Sequence, residues 1–303
     1  MRFGSLNVPA LGIVVASIVV LAAPGAGIGS PGTAISSCGQ TVTTNAFLTQ
    51  DLACTGDGVI VGAANITIDL RGFTLRGDDG APDSGIVDNG FDSVRLENGV
   101  VRNFGFGLAF DGADKANVAN VVVSGANIGI YVNGDSASIT SSTASGNGMT
   151  GVQVVGASAS IVSSTASQNL VYGFDLEGPS ASIKSSTAFG NGNDGFFIHG
   201  ASDSASVASS TATANGISGF EIFGDSVTIK SSVASGNVTR GIFLQGDGAN
   251  VTGNRTDANG FKTGESDDIG LGINVNGFTT PPRGKNTARG NDNAAECSPL
   301  SLC

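Results

Sequence analysis

The chain of 303 residues has no tryptophan, a single histidine, two tyrosines, two methionines, and only 14 lysines and arginines against 25 acidic residues. Each shortage excludes something. With a formal charge of -11 and no basic run, the chain is not built for nucleic acid, whose affinity comes mainly from Lys and Arg displacing counterions. A polyanion would likewise need a bridging divalent cation. One histidine, with four cysteines at non-metal spacings, leaves no Cys/His zinc site. No stretch beyond the apolar start keeps a helical period, so helix-based architectures are excluded.

What is present is small and regular. Glycine alone accounts for 47 residues, and serine, threonine, alanine and asparagine supply most of the rest. Such a bias would suit a disordered tract, but Val, Ile, Leu and Phe recur at fixed intervals, which a disordered chain has no reason to maintain. A packed repeat is the better account.

The start carries one Arg, an apolar stretch from Leu11 to Ala23, and then small residues. That is the layout of a secretory signal peptide, interrupted by Pro24 too soon for a membrane anchor. Cleavage is expected between Gly25 and Ala34, leaving no integral membrane segment and a secreted or cell-surface protein, expected as a monomer. Four cysteines fall in two local groups, and an even count in an exported chain suggests two disulfides. Three connectivities are possible. The groups sit at opposite ends of the repeats, which favours Cys38 with Cys54 and Cys297 with Cys303.

The motif Gly-apolar-x-apolar begins at Gly58, Gly85, Gly107, Gly129, Gly151, Gly173, Gly195, Gly219, Gly241 and Gly272. From Gly85 to Gly241 the step is 22 residues, with one step of 24. A second short strand starts ten residues after most of these glycines, and a third segment, typically Ser-Ser-Thr-Ala-Ser, ends in asparagine. Period-2 alternation in short segments separated by Gly, Asn and Ser argues strand and turn. Three short strands per 22 residues, repeated, describe an all-β parallel β-helix of about ten coils with three strands per coil. The organisation predicted is a leader over 1–34, an amino-terminal cap over 35–57, the β-helix over 58–291 and a carboxy-terminal cap over 292–303. Asn147, Asn169, Asn191, Asn215, Asn237 and Asn259 recur at one turn of each coil, where an asparagine ladder in αL geometry is expected.

The glycine-led strands, the asparagines and the opening segments CGQTVTT, LTQDLAC and GVIVGAANITIDLRGFTLRG resemble the right-handed parallel β-helix proteins of the pectin-lyase-like superfamily, including NosD-type and other exported bacterial members. The resemblance covers about Cys38 to Cys303. It implies the fold and not one activity, since that superfamily spans lyases, hydrolases, epimerases and adhesins. The Asp-Asp and Gly-His-Gly signatures of polygalacturonases, the Asp-Pro-His-Glu of alginate epimerases and the arginine-centred motif of pectate lyases are all absent. A NosD-type role in copper-site maturation is disfavoured by one histidine and two methionines.

In each glycine-led strand the residues one and three after glycine are uniformly apolar and are expected inside. The residues two and four after glycine then face outward, with neighbouring coils about 4.8 Å apart. That alternation places Glu177 beside His199, with Asp175 and Glu221 flanking them, and Tyr131, Phe197, Phe223 and Phe243 alongside. Carboxylates, an imidazole and exposed rings on a flat sheet suit a sugar chain, with hydroxyls toward the acids and ring faces on the aromatics. Acid/base catalysis there would use His199 with Glu177 or Glu221, and Asp175 with Glu221 forms a candidate carboxylate pair. No Lys or Arg is expected beside these acids. No bound metal or cofactor is called for, although Asp78, Asp79, Glu265, Asp267 and Asp268 form acidic loops of the kind that hold calcium. The function expected is an exported protein that binds an extracellular polysaccharide through this outward face, with cleavage there left open. The competing reading is a non-catalytic structural or adhesive surface protein. Serine-threonine rows such as Ser141, Ser142 and Thr143 are expected at tight turns.

Overall fold

The computed structural model describes residues 32–79, 82–200, 202–260, 272–276, 285–291 and 297–303. The proposed signal peptide and the acidic residues Glu265, Asp267 and Asp268 lie outside them. Among the described residues the strands form two sheets, one of 12 strands and one of 20, and every pairing is parallel. Ten strands of the smaller sheet are the glycine-led segments. The other two, Gln40–Val42 and Cys297–Ser298, add one rung at each end. The stack is therefore a parallel β-helix close to the expected ten coils.

The second and third strands of each coil share the larger sheet. In two coils, Arg95–Arg102 and Asn117–Ser124, one unbroken strand runs through the corner between them. Later coils bend there, with Ser141, Ser163, Ser185, Ser209 and Ser231 at positive φ near 50°. The first serine of each Ser-Ser pair thus makes the corner. The second turns inward: the Ser142 N–H donates to Ser164 Oγ, and Ser164, Ser186 and Ser210 repeat this with the next coil, each bond being 3.2–3.3 Å. The first serine is thus at a tight turn as expected, whereas Ser142, Ser164, Ser186, Ser210 and Ser232 are buried.

Register explains the glycines. A Cβ on Gly173 would stand 2.5 Å from the Gly195 carbonyl oxygen and 2.7 Å from Asn191 Nδ2, so the glycine-led strand reaches its neighbours only without a side chain. The next residues point into the core. Phe174, Phe196 and Phe220 are fully buried and stacked at 4.8 Å between centroids, within 7° of parallel. Burying each ring is worth about 2–3 kcal/mol, and the stack follows the sheet spacing.

The asparagine ladder forms, with a geometry different from the one expected. The residue before each asparagine takes positive φ, as at Gly146, Gln168, Gly190, Ala214, Gly236 and Ala258. The asparagines themselves turn inward and are almost fully buried. Asn169 Oδ1 accepts from both the backbone N–H and Nδ2 of Asn147, while Asn169 Nδ2 donates to the Asn191 Oδ1 and the Ala144 carbonyl. The αL position needs only a small or flexible residue; the inward position needs an amide, because two donors and an acceptor must be satisfied without water.

The ends are tied by disulfides Cys38–Cys54 and Cys297–Cys303. Strands Thr33–Ile35 and Gln40–Val42 already pair in register with the next coil, so the segment expected as a cap extends both sheets. At the other end Leu302 is buried and its carbonyl accepts from the Asn286 N–H and Nδ2. No helix among the described residues is long and apolar enough to cross a membrane.

Candidate functional site

The outward face of the 12-stranded sheet carries the register that the repeat implies. Gln153, Asp175, Phe197, Glu221 and Phe243 occupy successive rungs of one column, and Val155, Glu177 and His199 are successive in the next. Their chemistry is set by which of them are buried.

Asp175 is only 6% exposed. Its Oδ2 accepts from Gln153 Nε2 at 3.0 Å, and its Oδ1 lies 3.0 Å from His199 Nε2. Burial pushes its carboxyl above the ordinary range, an effect that the His199 charge and the bonds from His199 and Gln153 oppose. His199 thus leans across to Asp175, although Glu177 is its in-register neighbour. The reason is electrostatic: a nearly buried carboxylate needs a donor, whereas Glu177 is exposed to solvent. The imidazole keeps Nδ1 for other partners.

A second cluster lies across the strand. Asp194, 4% exposed, accepts the Ser218 N–H at 2.7 Å on Oδ1. Ser218 Oγ donates to Glu221 Oε2 at 2.9 Å, and Arg240 Nη1 lies 3.9 Å from the same oxygen. Burial, reinforced by the Glu221 charge, pushes the Asp194 carboxyl up to about 7, against the opposing effect of Ser218 and Arg240. One serine therefore joins a carboxyl that burial keeps protonated toward neutrality to a second, Glu221, that stands beside an arginine. A buried acid raised in this way can act as a proton donor.

Aromatic rings join the two clusters. Tyr172 stacks on Phe197 at 4.7 Å and 12°, and Phe197 stacks on His199 at 4.5 Å. Phe223 meets Phe197 edge-on at 6.0 Å and Phe243 at 5.8 Å. Burial and the charges of Asp194 and Asp175 raise the Tyr172 hydroxyl above its ordinary range. The two ends of the aromatic row depart from the expected arrangement. Phe243 is covered by the Arg240 guanidinium at 4.4 Å and is 8% exposed, and Tyr131 lies two coils away, against Phe106 at 5.9 Å.

The structure thus brings together Asp175, His199, Glu221, Phe197 and Phe223, keeps Glu177 at the solvent edge, and leaves Tyr131 apart. It overturns the expectation that no Lys or Arg stands beside the acids, since Arg240 does. Sequence reasoning missed Arg240, Asp194, Ser218 and Tyr172 for one reason: they occupy the position before the glycine, a column outside the alternation used to sort the strand. A signal was there. Thr150, Tyr172, Asp194, Ser218 and Arg240 recur at the 22- and 24-residue steps and share no residue type, unlike the uniform columns of the scaffold.

Among the described residues no group of three or more His, Cys, Asp or Glu side chains is arranged to hold a metal ion. Asp78 and Asp79 belong to the loop after strand Thr74–Arg76.

Residues 106–258 match the family model described as a right handed beta helix region. The chain belongs to the right-handed β-helix family. No curated protein matches this β-helix protein in sequence. Among solved structures, the A-module of the Azotobacter vinelandii mannuronan C-5 epimerase AlgE4 is similar with a TM-score of 0.67 at 13% identity, over 84% of this chain and 83% of that one. The A-module of AlgE6 from the same organism gives 0.66 at 16% identity, over 86% and 84%. The Dettilon tailspike protein gives 0.58 at 13% identity, over 84% of this chain and 53% of that one. At such identities the likeness is one of fold.

Proposed function

We propose that this is an exported protein that binds a polysaccharide along the outward face of the 12-stranded sheet and hydrolyses it between Asp194 and Glu221. One observation carries the reading: a protonatable, nearly buried acid, an ion-paired carboxylate and a stacked aromatic surface share adjoining rungs, Phe174–Glu177, Phe196–His199 and Ser218–Phe223. Tyr172, backed by Phe197, offers its outer ring face to a sugar. Asp194 gives its proton to the glycosidic oxygen as the C–O bond breaks. Glu221 takes a proton from the water whose oxygen bonds the anomeric carbon, and the two carboxyls then exchange protons with solvent. Asp175 holds the His199 ring in place, and His199, stacked on Phe197, is a positioning residue for the ring that backs Tyr172. The disulfides and the solved polysaccharide-acting epimerase modules of similar fold support export and a glycan partner.

The test is a glycan-array and reducing-sugar screen of the full chain, with and without calcium. Wild type should release reducing ends from at least one glycan that it binds. Asp194→Asn should lose release at least about 100-fold while retaining binding, and Phe197→Ala should lose binding. A wild type that binds no glycan sinks the reading. Binding without cleavage discards the hydrolytic part and leaves a lectin-like surface.

A further inference from the structure

Away from that face, near the amino-terminal end of the larger sheet, the strands Leu52–Ala53, Thr74–Arg76 and Arg95–Arg102 pair in register so that Ala53, Arg76 and Arg102 are successive. Two guanidinium groups therefore stand on adjacent coils, about 4.8 Å apart at the backbone. Like charges placed opposite one another are destabilising, and in an acidic chain with few cations the arrangement calls for a reason. Four other arginines are engaged: Arg95 with Glu97 and Asn117, Arg255 with Asp257, Arg71 over the Phe47 ring, and Arg240 with Glu221. Arg76 and Arg102 have neither an ion pair nor a side-chain hydrogen bond among the described residues.

The two arginines also line a depression. With Asp51, Leu52, Ala53 and Thr74 they border about 140 Å³ open to solvent, and the small Ala53, one rung before Arg76, leaves space at that end of the column. Asp51 Oδ1 is fixed by the Thr74 N–H at 2.7 Å, which keeps the carboxylate at the rim without pairing it to either guanidinium. Two planar forks facing one cavity match an oxyanion. The Asp51 carboxylate and the Thr74 hydroxyl beside them match hydroxyl groups on the same ligand.

We infer that Arg76 and Arg102, with Asp51 and Thr74, form a binding site for an oxyanion borne on a polyhydroxylated chain, either a carboxylate or a sulfate. The site is separate from the Asp194–Glu221 face and does not depend on it. Calorimetric titration of the full chain at low salt with three probes distinguishes the sources: oligogalacturonate, a sulfated oligosaccharide, and a neutral cello-oligosaccharide. One or both anionic probes should bind and the neutral one should not. Arg76→Gln with Arg102→Gln should weaken anion binding at least about tenfold, and raising salt should do the same. Phe197→Ala on the other face should leave it unchanged. Both side chains are exposed and their mutual repulsion is removed, so the double variant should melt no lower than the wild type, which separates loss of binding from loss of fold. Anion binding unaltered by the double variant, or no binding of either anionic probe by wild type, overturns the proposal.

Discussion

Asp194 and Asp88 show how one buried carboxyl can serve chemistry while another only costs stability. Both are raised by burial. Asp194 sits at about 7 against an ordinary value of 3.8, so its folded state favours the proton. Its contribution to stability is full below about 4, is lost progressively as pH rises toward 7, and is gone above it. Asp194→Asn, which cannot ionise, should therefore melt above wild type at pH 8 and with it near pH 4, by thermal denaturation followed by circular dichroism. Wild-type hydrolysis should fall as pH rises through about 7, because the donor must be protonated. A substitution that stabilises the fold while abolishing turnover is the expected mark of a functional acid. Asp88 occupies an inward core position opposite Phe110, fully buried, with Oδ1 on the Phe91 N–H and Oδ2 without a partner. No ligand face adjoins it. Asp88→Asn should raise the melting temperature at pH 8, with the difference vanishing in acid and no effect on glycan binding. Equal melting of wild type and variant at pH 8 would show that the carboxyl ionises there at no cost.

At the scale of the element, the ladders decide what each coil tolerates. Asn191 accepts from Asn169 twice and donates to Asn215 and to the Ala166 carbonyl. Asn191→Ala strands two buried donors on Asn169, while Asn215 Oδ1 keeps the backbone N–H of residue 191, so it should cost at least about 2 kcal/mol at roughly 1–3 kcal/mol per orphaned group. Chemical denaturation measures this, and a loss under 1 kcal/mol would mean that water enters the turn. The spacing of such residues was fully legible in the sequence, because identical residues at a constant step can only be scaffold. Their conformation was not, since αL and inward positions are adjacent and a periodic pattern does not say which is which. The same limit hid part of the site. Phe174 and Leu176 announced themselves as core by uniformity, whereas Asp194 and Arg240 belong to a column whose only signature is that its members differ. His199 does stand beside Glu177 in register, but its hydrogen bond goes to Asp175 and not to Glu177 or Glu221, the partners expected for it, because register orders backbones while burial chooses which carboxylate a histidine seeks.

For the whole molecule, stability in a solenoid is a sum of coil and interface contributions, and no coil contacts any but its neighbours. The coil Gly129–Thr150 offers a direct test. It pairs below with Phe106–Asp111 and with the strand Asn117–Ser124, and above with the coil beginning at Gly151. Its removal would bring those two neighbours together with every ladder position matched: Ala126 would donate to Asn169 Oδ1 in place of Asn147, and Val121 to Ser164 Oγ in place of Ser142. Deleting residues 129–150 should therefore leave a folded chain with the same circular dichroism per residue and a modestly lower melting temperature. Deleting 129–139 instead removes half a coil, puts apolar columns on the surface and polar ones in the core, and should abolish folding. The 22-residue deletion takes Tyr131 and nothing else of the candidate site. Glycan binding that survives it within about twofold would place recognition on the Tyr172–Phe197 stack, and a loss beyond tenfold would show that the sugar chain reaches two coils further than the clustered acids.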